Sequence, residues 1–532
     1  MKGGGAIVMH AAAGKQVPKS KTSFFLYILL LYVLLPVLVL YVVALAVSPF
    51  YSHPCPQDGG AGAVARLAAG ADGKWHNGSS SRLPPPKARS KLKPKPSADD
   101  DDAAPTGLRH IVFGIGASSS LWKSRKEYIR VWWQPGKMRG FVWLDKPVPD
   151  LYTRNASSDL PGIKISGNTS RFPYTHGAGS RSALRITRIV SESFRLGLPG
   201  ARWFVMGDDD TVFFPDNLAD VLSRYDHTQP YYIGNPSESH IQNLIFSYGM
   251  AFGGGGFAIS RALAAQLARM QDGCIERYPA LYGSDDRIHA CMSELGVPLT
   301  RHLGFHQCDL WGDVLGLLGA HPVTPLVSLH HFDFLQPVFP TVRSRTQALR
   351  RLFAGPVALD PAAVAQQSVC YDAGKEWTVS VSWGFAVMVL RGVLSPREME
   401  TPMRTFLNWY RRADYTAYAF NTRPVARHPC QRPQVYYMRQ ARLERRRRKR
   451  NATTTVTEYE RHRVPPTPCR WRIPDPAALL DRVVVRKKPD PDLWKRSPRR
   501  NCCRVVSSPT VGKDRRMTID VGVCRDGEFA RV

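Results

Sequence analysis

The chain has 532 residues, too many for one compact core, so two folded units with additional segments are expected. Its formal net charge of +30 would favour a nucleic-acid or anionic-surface partner in a cytosolic protein. The N-terminal sequence argues against a cytosolic location, so we predict no nucleic-acid partner from charge alone.

An uncharged apolar segment at residues 24–47 has the length needed to cross a bilayer. Lys15, Lys19 and Lys21 precede it and no basic residue follows closely, so the positive-inside bias predicts a cytosolic tail at residues 1–23. A cleaved signal peptide is the alternative, but the apolar run is about twice the usual length and lacks a clear small-x-small cleavage site. We expect a single-pass type II signal anchor with the remainder of the chain lumenal.

Two segments lack the periodic apolar pattern of a folded core. Residues 48–107 are rich in Gly, Ala, Pro, Ser and Lys, which predicts a flexible stem. Residues 441–532 contain a basic run at 445–450 and many prolines, which predicts a basic, proline-rich, poorly ordered tail.

The cysteines and glycosylation sequons suit a secretory-pathway protein. Ten cysteines in an oxidising lumen favour disulfides, although their pairing cannot be deduced from sequence. The adjacent Cys502 and Cys503 cannot easily bridge each other, so each should reach elsewhere or stay free. Four sequons suit the same compartment: Asn77, Asn155, Asn168 and Asn451.

Strand and helix patterns alternate from residue 108 onward. His110–Gly116 and Gly140–Asp145 are short apolar segments typical of strands, and apolar residues between them recur at helical spacing. A second helical pattern at Gly179–Phe194 is followed by Gly197 as a stop. The alternation predicts an α/β domain over residues 108–340, followed by a smaller mixed unit with disulfides at 341–440.

Arg202–Pro215 joins an apolar run, the acidic triplet Asp208–Asp210, a second apolar run and a proline. Adjacent buried carboxylates repel one another and need a compensating cation, for which a hard divalent metal is the first candidate. Pro215 suits the first position of a helix, so the triplet should lie where an α/β sheet binds ligands. A solvated turn is the structural alternative.

Two further motifs follow the triplet. The run Gly253–Gly256 lacks Cβ atoms, which would let the backbone approach a sugar or phosphate, a flexible loop being the alternative. It lacks the Lys-Ser/Thr ending of a P-loop, so no NTPase is predicted. A helix should start at Ser284-Asp285-Asp286, where the helix dipole favours both carboxylates and lowers their pKa.

These motifs occur in the same order in the fringe-like β-1,3-glycosyltransferases: Trp203–Pro215, Phe252–Ser260, Ser284–Asp286 and Gly304–His306. The chain resembles the plant fringe-related proteins, and Val369–Asp372 and Trp377–Gly384 resemble their uncharacterised C-terminal region. The resemblance covers residues 108 to 440 approximately. It implies a GT-A type, Rossmann-like domain that binds a nucleotide sugar.

The resemblance also implies a manganese ion, a UDP-linked sugar donor and inversion at the sugar carbon. By it, Asp210 ligates the metal, while Asp208 contacts the ion or the donor. Asp209 is assigned to the donor. The family takes a histidine ligand from a Phe-His segment, which here is His306. Cys308 stands where fringe proteins have a second histidine, and His330 and His331 are the competing ligands.

An inverting transfer needs a base to take the proton of the attacking hydroxyl. Asp285 and Asp286 are the candidates, with Asp285 preferred. Gly254 and Gly255 are assigned to the donor. Asp145 ends the second strand and is assigned to the nucleotide base or ribose, a simple turn residue being the alternative.

Together these features predict a metal-dependent, inverting glycosyltransferase in the Golgi membrane. It would move a sugar from a UDP-sugar to a hydroxyl of a glycan or glycoprotein in the lumen. The alternative is a catalytically inactive carbohydrate-binding or scaffold protein that keeps the fold. Loss of the triplet or of Asp285 would favour the alternative, and neither is lost.

Overall fold

The computed structural model describes residues 104–151, 159–410, 414–445, 453–465, 469–510 and 514–530. The predicted cytosolic tail, the apolar segment 24–47 and most of the predicted stem lie outside these ranges, as do Asn77, Asn155 and Asn451. No helix within these ranges combines the length and apolar composition that crossing a membrane requires.

Strands alternate with helices in the first half of the described chain and dominate the second half. In chain order the strands are β1 Ile111–Gly116, β2 Arg139–Leu144, β3 Gly162–Ile165, β4 Trp203–Asp208, β5 Val212–Phe213, β6 Tyr232–Gly234, β7 Phe257–Ser260, β8 Leu299–Arg301, β9 Phe305–His306, β10 Leu310–Gly312, β11 Ser328–Leu329, β12 Gln367–Asp372, β13 Trp377–Ser382, β14 Ala386–Arg391, β15 Phe406–Asn408, β16 Gln434–Arg445, β17 Thr453–Arg461, β18 Arg482–Lys487, β19 Cys502–Ser507 and β20 Arg516–Gly522.

The helices connect these strands and include several single turns. The α-helices are α1 Trp122–Trp132, α2 Ser182–Arg195, α3 Pro215–Leu222, α4 His240–Ile245, α5 Arg261–Arg277, α6 Ser284–Glu294, α7 Leu315–Gly319, α8 Arg345–Leu352, α9 Pro396–Met399 and α10 Pro476–Leu479. The 3₁₀ turns are Leu108–His110, Pro149–Leu151, Pro361–Ala363, Ala373–Lys375, Tyr415–Ala417, Pro429–Gln431 and Leu493–Lys495, and a π turn spans Phe353–Val357.

The first sheet has seven strands in the order β3-β2-β1-β4-β7-β6-β8. β1 to β4 are parallel, and β7 runs antiparallel between β4 and β6. Gly116 pairs with both Trp143 and Asp208, so β1, β2 and β4 end at the same edge. The predicted mixed α/β architecture with a central sheet is confirmed.

This sheet is buried on both faces. Val112 and Phe204 pack into one hydrophobic core with α2 and α5, while their neighbours Phe113 and Val205 pack into the other with α1. Successive side chains point to opposite faces, so a strand covered on both sides is apolar throughout. The Cys274–Cys291 disulfide joins α5 to α6.

The second large sheet has eight strands in the order β12-β13-β14-β16-β17-β18-β20-β19. Its neighbouring strands are antiparallel except for β18 and β20. The Cys370–Cys503 disulfide joins β12 to β19, so the two ends of the strand order lie side by side. Cys502 pairs with Cys524, so each of the two adjacent cysteines reaches elsewhere, as expected.

The expectation of a poorly ordered tail at residues 441–532 differs from the structure, in which β17 to β20 complete this sheet. Val483, Val485, Met517 and Ile519 are buried there. They alternate along the strands with less buried residues, a period-two strand pattern that the high charge of the region conceals. All described residues belong to one compact unit, and β16 crosses the predicted boundary at residue 440.

Candidate active site

The acidic triplet lies at the carboxyl end of β4, in the middle of the first sheet. Asp208 ends the strand, and its backbone N–H donates to Thr211 Oγ1 over 2.8 Å. Thr211 Oγ1 in turn donates to the Gly254 carbonyl over 2.7 Å. Pro215 occupies the first turn of α3, as predicted, although the short strand β5 intervenes.

Arg125 of α1 supplies a positive charge to the triplet. Its Nη1 lies 2.8 Å from Asp209 Oδ1 and 3.1 Å from Asp210 Oδ1, and these carboxylate side chains are only 4% and 2% exposed. Its Nη2 contacts Asp333 at 2.7 Å. Arg125 is not among the site residues predicted from the sequence. The sequence feature that could have indicated it is its position on the otherwise aromatic face of α1, because a charge on such a face needs a partner.

His330, directly after β11, supplies the second positive charge. Its Nε2 lies 3.1 Å from Asp210 Oδ1 and 3.8 Å from Asp208 Oδ2. Burial opposes the effect, but the charge of Asp210 and the hydrogen bond to it raise the pKa of His330 to about 9. Burial also acts to raise the pKa of Asp210. His330 and then Arg125 outweigh it and hold the pKa of this carboxyl far below its usual value.

The structure does not bring His306 to the triplet, contrary to the predicted ligand set. Its Nδ1 contacts Glu238 Oε1 at 2.9 Å, and its Nε2 contacts His321 Nε2 at 3.0 Å. Both ring nitrogens are therefore engaged elsewhere. Of the two competing histidines, His330 contacts Asp210, while His331 contacts Asp309 at 3.2 Å and stacks on Trp409.

The glycine run packs against the protein's own side chains. A Cβ atom on Gly254 would lie 2.1 Å from His330 Cε1, and one on Gly253 would lie 2.5 Å from Asp285 Oδ1. A Cβ atom on Gly255 would lie 2.9 Å from the Gln307 backbone nitrogen. The structure thus gives a reason for these glycines that differs from the predicted approach of a sugar or phosphate.

Asp285, in the first turn of α6, faces the triplet side. It lines a small cavity of about 20 Å³ together with Asp208 and Gly253, and Ser284 Oγ donates to its Oδ1 over 2.9 Å. Burial raises the pKa of Asp285, against the hydrogen bonds from Gly253 and Ser284. The lowered pKa expected from the helix dipole is therefore wrong, because desolvation dominates.

Asp286 lies away from that cavity, although it is the next residue along α6. Its partners are the Tyr282 backbone, His289 and Arg287, and burial raises its pKa. Of the two candidate bases, the structure therefore brings only Asp285 to the wall of the cavity that Asp208 also lines.

Asp145 lies at the end of β2, on the same edge of the sheet. Its Oδ1 accepts a hydrogen bond from the Ser119 backbone N–H over 2.7 Å. Partial burial opposes the effect, but this bond lowers the pKa of Asp145. The preceding Ser118 N–H donates to Asp209 Oδ2 over 3.4 Å, so the loop after β1 connects Asp145 to the triplet.

The residues around Asp208 provide the donor atoms that a divalent ion prefers. Burial raises the pKa of Asp208 to about 7; the charge of His330 opposes this shift, and the charges of Asp210, Asp285 and Asp209 support it. Carboxylate oxygens with one imidazole are a suitable donor set for Mn²⁺. Among the described residues, however, no group of three or more His, Cys, Asp and Glu side chains has an arrangement that could hold a metal.

Two family models match the chain. The one described as Fringe-like matches residues 107–312, and the one described as Protein of unknown function, DUF604, matches residues 242–503. The triplet lies in the first match only, and Asp285 lies where the two overlap. His330 lies in the second only, so the candidate site takes residues from both regions.

The curated relatives include glycosyltransferases from vertebrates. Lunatic fringe of Xenopus laevis, a β-1,3-N-acetylglucosaminyltransferase, is 29% identical over 189 residues, which are 32% of this chain and 46% of the relative. Its Danio rerio counterpart is 30% identical over 182 residues, with coverages of 31% and 48%. A β-1,3-glucosyltransferase of Mus musculus is 32% identical over 139 residues, 26% of each protein. The chain spans about half the length of the lunatic fringe relatives it matches.

Among solved structures, apo mouse xyloside xylosyltransferase 1 aligns with a TM-score of 0.26 and 7% identity, covering 38% of this chain and 86% of that one. This similarity is too low to support an argument about the fold. The relatives that match the region of the acidic site are glycosyltransferases by name. Residues 107–312 are thus similar to the fringe-like family, and the match does not extend over the rest of the chain.

Proposed function

We propose that the chain is a metal-dependent, inverting glycosyltransferase of the GT-A type. It moves a sugar from a UDP-sugar donor to a hydroxyl of a glycan or glycoprotein, with a β-1,3 linkage. The observation that carries this proposal is the placement of Asp208 and Asp285 on one cavity, at the edge where the parallel strands end. The β-1,3 linkage rests on the names of the relatives.

Asp210 and His330 are the proposed metal ligands, with Asp208 beside them, because their donor atoms converge. A bound ion would replace the proton on His330 Nε2, because only the neutral imidazole can act as a ligand. A divalent ion held there would supply positive charge to the departing diphosphate. Arg125 holds the Asp210 carboxylate in place and keeps it ionised. Asp145 and Asp209 lie further along the same edge, where they would meet the nucleoside of the donor.

Asp285 is the proposed general base. It accepts the proton of the acceptor hydroxyl as that oxygen bonds to the sugar carbon and the bond from this carbon to the diphosphate breaks. Its raised pKa brings its proton affinity closer to that needed near neutral pH. Ser284 Oγ fixes the orientation of the carboxylate.

We propose a Golgi membrane location with a type II anchor at residues 24–47 and the described residues in the lumen. Four disulfides in the described ranges support an oxidising compartment: Cys274–Cys291, Cys370–Cys503, Cys430–Cys469 and Cys502–Cys524.

One observation favours the second candidate, a catalytically inactive carbohydrate-binding protein with this fold. Arg125 and His330 already supply two positive charges beside Asp209 and Asp210, so these two carboxylates do not require a metal for charge balance. In this candidate the site would bind sugar without transfer.

The test is nucleotide release from a panel of nucleotide sugars by the full chain with Mn²⁺. We expect turnover of a UDP-sugar, and we expect Asp210→Ala to lose both metal and nucleotide affinity. Asp216→Ala, which removes an exposed carboxylate in the first turn of α3, is the matched control and should change neither. Nucleotide binding without turnover of any donor would favour the second candidate. Unchanged metal and nucleotide affinities in Asp210→Ala would contradict the assignment of the triplet to metal binding and to nucleotide binding.

A further inference from the structure

A cavity of about 470 Å³ lies at the carboxyl ends of β6 and β8, on the same edge of the first sheet as the triplet. Asn235 and Arg301 line it from the ends of these strands. Asn421 and Arg500, from the region that follows the fringe-like match, line its other side. Its volume is within the range of sites that bind small molecules.

The floor of the cavity is a buried chain of hydrogen bonds through Glu238, His306 and His321. Burial lowers the pKa of His321 well below its usual value, so this ring is neutral. Its Nδ1 donates to the Pro322 carbonyl over 2.8 Å, so its Nε2 accepts from His306 Nε2–H. The Nδ1 of His306 is engaged by Glu238. Because the polar groups of the floor form hydrogen bonds with one another, a ligand must be recognised by residues of the walls and the mouth.

The mouth combines planar polar groups with aromatic rings. The amide of Asn421 and the paired side chains of Glu400 and Arg500 lie there, beside the rings of Phe420 and Tyr248. Amide, carboxylate and guanidinium groups can hydrogen-bond to two hydroxyls at once, and aromatic rings can cover an apolar C–H surface. Both features suit the two kinds of surface on a sugar ring.

The charges at the mouth favour a neutral ligand. Arg500 Nη2 lies 3.2 Å from Glu400 Oε2, so these charges offset each other. Arg301 donates to the Tyr248 carbonyl over 2.6 Å and lies over its ring, which engages part of its guanidinium. An anionic ligand would have to compete with Glu400.

The cavity is separate from the candidate transfer site. In the sheet, β7 lies between β4 and β6, so β4 and β6 are about 10 Å apart at the usual strand spacing. The glycine run and β9 stand between the two sites, since a Cβ atom on Gly255 would lie 3.2 Å from the His306 carbonyl carbon. A sugar in the cavity would therefore not be the sugar that reacts.

We propose that this cavity binds a neutral sugar residue of the acceptor glycan, at a distance from the hydroxyl that is glycosylated. This inference rests on the proposed function, because it assigns the cavity to the acceptor of that reaction. It makes the region around Asn421 and Arg500 part of acceptor selection, and it gives the second family region a binding role.

The test is binding of the labelled full chain to a printed array of neutral and acidic glycans. We expect binding to neutral glycans that falls about tenfold in Phe420→Ala and several-fold in Asn421→Ala, from loss of ring contact and of hydrogen bonds. Tyr415→Ala removes an exposed aromatic ring from the same segment outside the cavity and should bind as the unaltered chain does.

Nucleotide release with Mn²⁺ separates this inference from the proposed function. The three variants should keep the donor hydrolysis of the unaltered chain, because the changes lie outside the transfer site and at the surface. No binding to neutral glycans, binding to acidic glycans only, or equal binding by Phe420→Ala, Asn421→Ala and Tyr415→Ala would overturn the assignment of the cavity. Such a result alongside intact donor hydrolysis would leave the proposed function standing.

Discussion

The guanidinium of Arg125 lies between two almost fully buried carboxylates, Asp209 and Asp210. The adjacent carboxylates of the triplet indicate that a cation must compensate their charge. In the structure Arg125, a residue of the chain itself, supplies part of that positive charge. This position also limits substitution at residue 125. A buried carboxylate that loses its partner keeps the whole cost of its desolvation.

We therefore expect Arg125→Ala to destabilise the fold by about 3–5 kcal/mol, because it leaves the buried Asp209 without a cation and Asp210 with His330 alone. Lys126→Ala is the matched control on the same helix. It breaks a more exposed pair with Asp150 and should cost at most about 1 kcal/mol. Urea unfolding monitored by tryptophan fluorescence gives both values, and equal costs would show that Arg125 is not required in this way.

The two histidines that compete as metal ligands can be separated by substitution. We expect His330→Ala to weaken Mn²⁺ binding at least about tenfold, because it removes a nitrogen 3.1 Å from Asp210. His306→Ala should leave Mn²⁺ affinity unchanged, since its ring contacts Glu238 and His321. Electron paramagnetic resonance titration of free Mn²⁺ measures both. The opposite ranking would restore the ligand set implied by the resemblance.

At the residue scale, the sequence identified the acidic groups better than their partners. Asp208, Asp210 and Asp285 stand out because each adjoins an apolar run that predicts a strand or helix boundary. Arg125 and His330 could not be paired with them from sequence, because 85 and 120 residues separate them from Asp210. Only the fold brings such distant residues together.

Among the elements, the glycine run before β7 fixes the wall of the site through close packing. Its carbonyls at Gly254 and Gly255 accept from Thr211 and Ser328, so the run is tied to the segments that carry the triplet and His330. An added Cβ atom at Gly254 has no space beside the His330 ring. The run is thus a rigid part of the site.

We expect Gly254→Ala to displace His330 and to destabilise the protein by about 1–3 kcal/mol through overpacking. Mn²⁺ affinity should fall with it. Gly177→Ala is the control, since a Cβ atom there meets nothing within 4 Å. Thermal unfolding and Mn²⁺ titration of the two variants check the expectation, which fails if Gly254→Ala matches Gly177→Ala in both.

The longer elements of the first sheet were predictable and the shortest were not. β1 and β2 are continuous apolar runs, and their observed bounds lie within one residue of the predicted ones. β5, β9 and β11 have two residues each, too few for any period to show. Their pairing nevertheless positions His330, because β11 lies between β5 and β9.

For the whole molecule, contacts between distant segments join the fringe-like domain to the second sheet. Asn217 of α3 donates to the Leu326 and Pro361 carbonyls over 2.8 and 3.0 Å. Next to Pro361, the buried Asp360 pairs with Lys487 of β18, and both side chains are about 1% exposed. Strand β18 therefore holds a loop that contacts the helix directly after the triplet.

We expect Lys487→Ala to cost about 3–5 kcal/mol, because Asp360 would remain buried without its partner. The double variant Lys487→Met with Asp360→Leu should recover most of that loss. Lys495→Ala breaks an exposed pair with Asp492 and is the control, with an expected cost near zero. Urea unfolding measures the free energy of unfolding of each variant. A small cost for Lys487→Ala would show that the second sheet is not coupled to this loop.

The proposed transfer reaction is tested most directly by Asp285→Asn, which keeps the shape of the side chain and removes its capacity to accept a proton. Donor binding should stay within about twofold, while sugar transfer should fall by about 10²–10⁴-fold, the usual contribution of a general base. Asp286→Asn should retain most activity, since Asp286 lies outside the shared cavity. Single-turnover transfer from a UDP-sugar is the measurement. Transfer by Asp285→Asn at the rate of the unaltered chain would contradict the account.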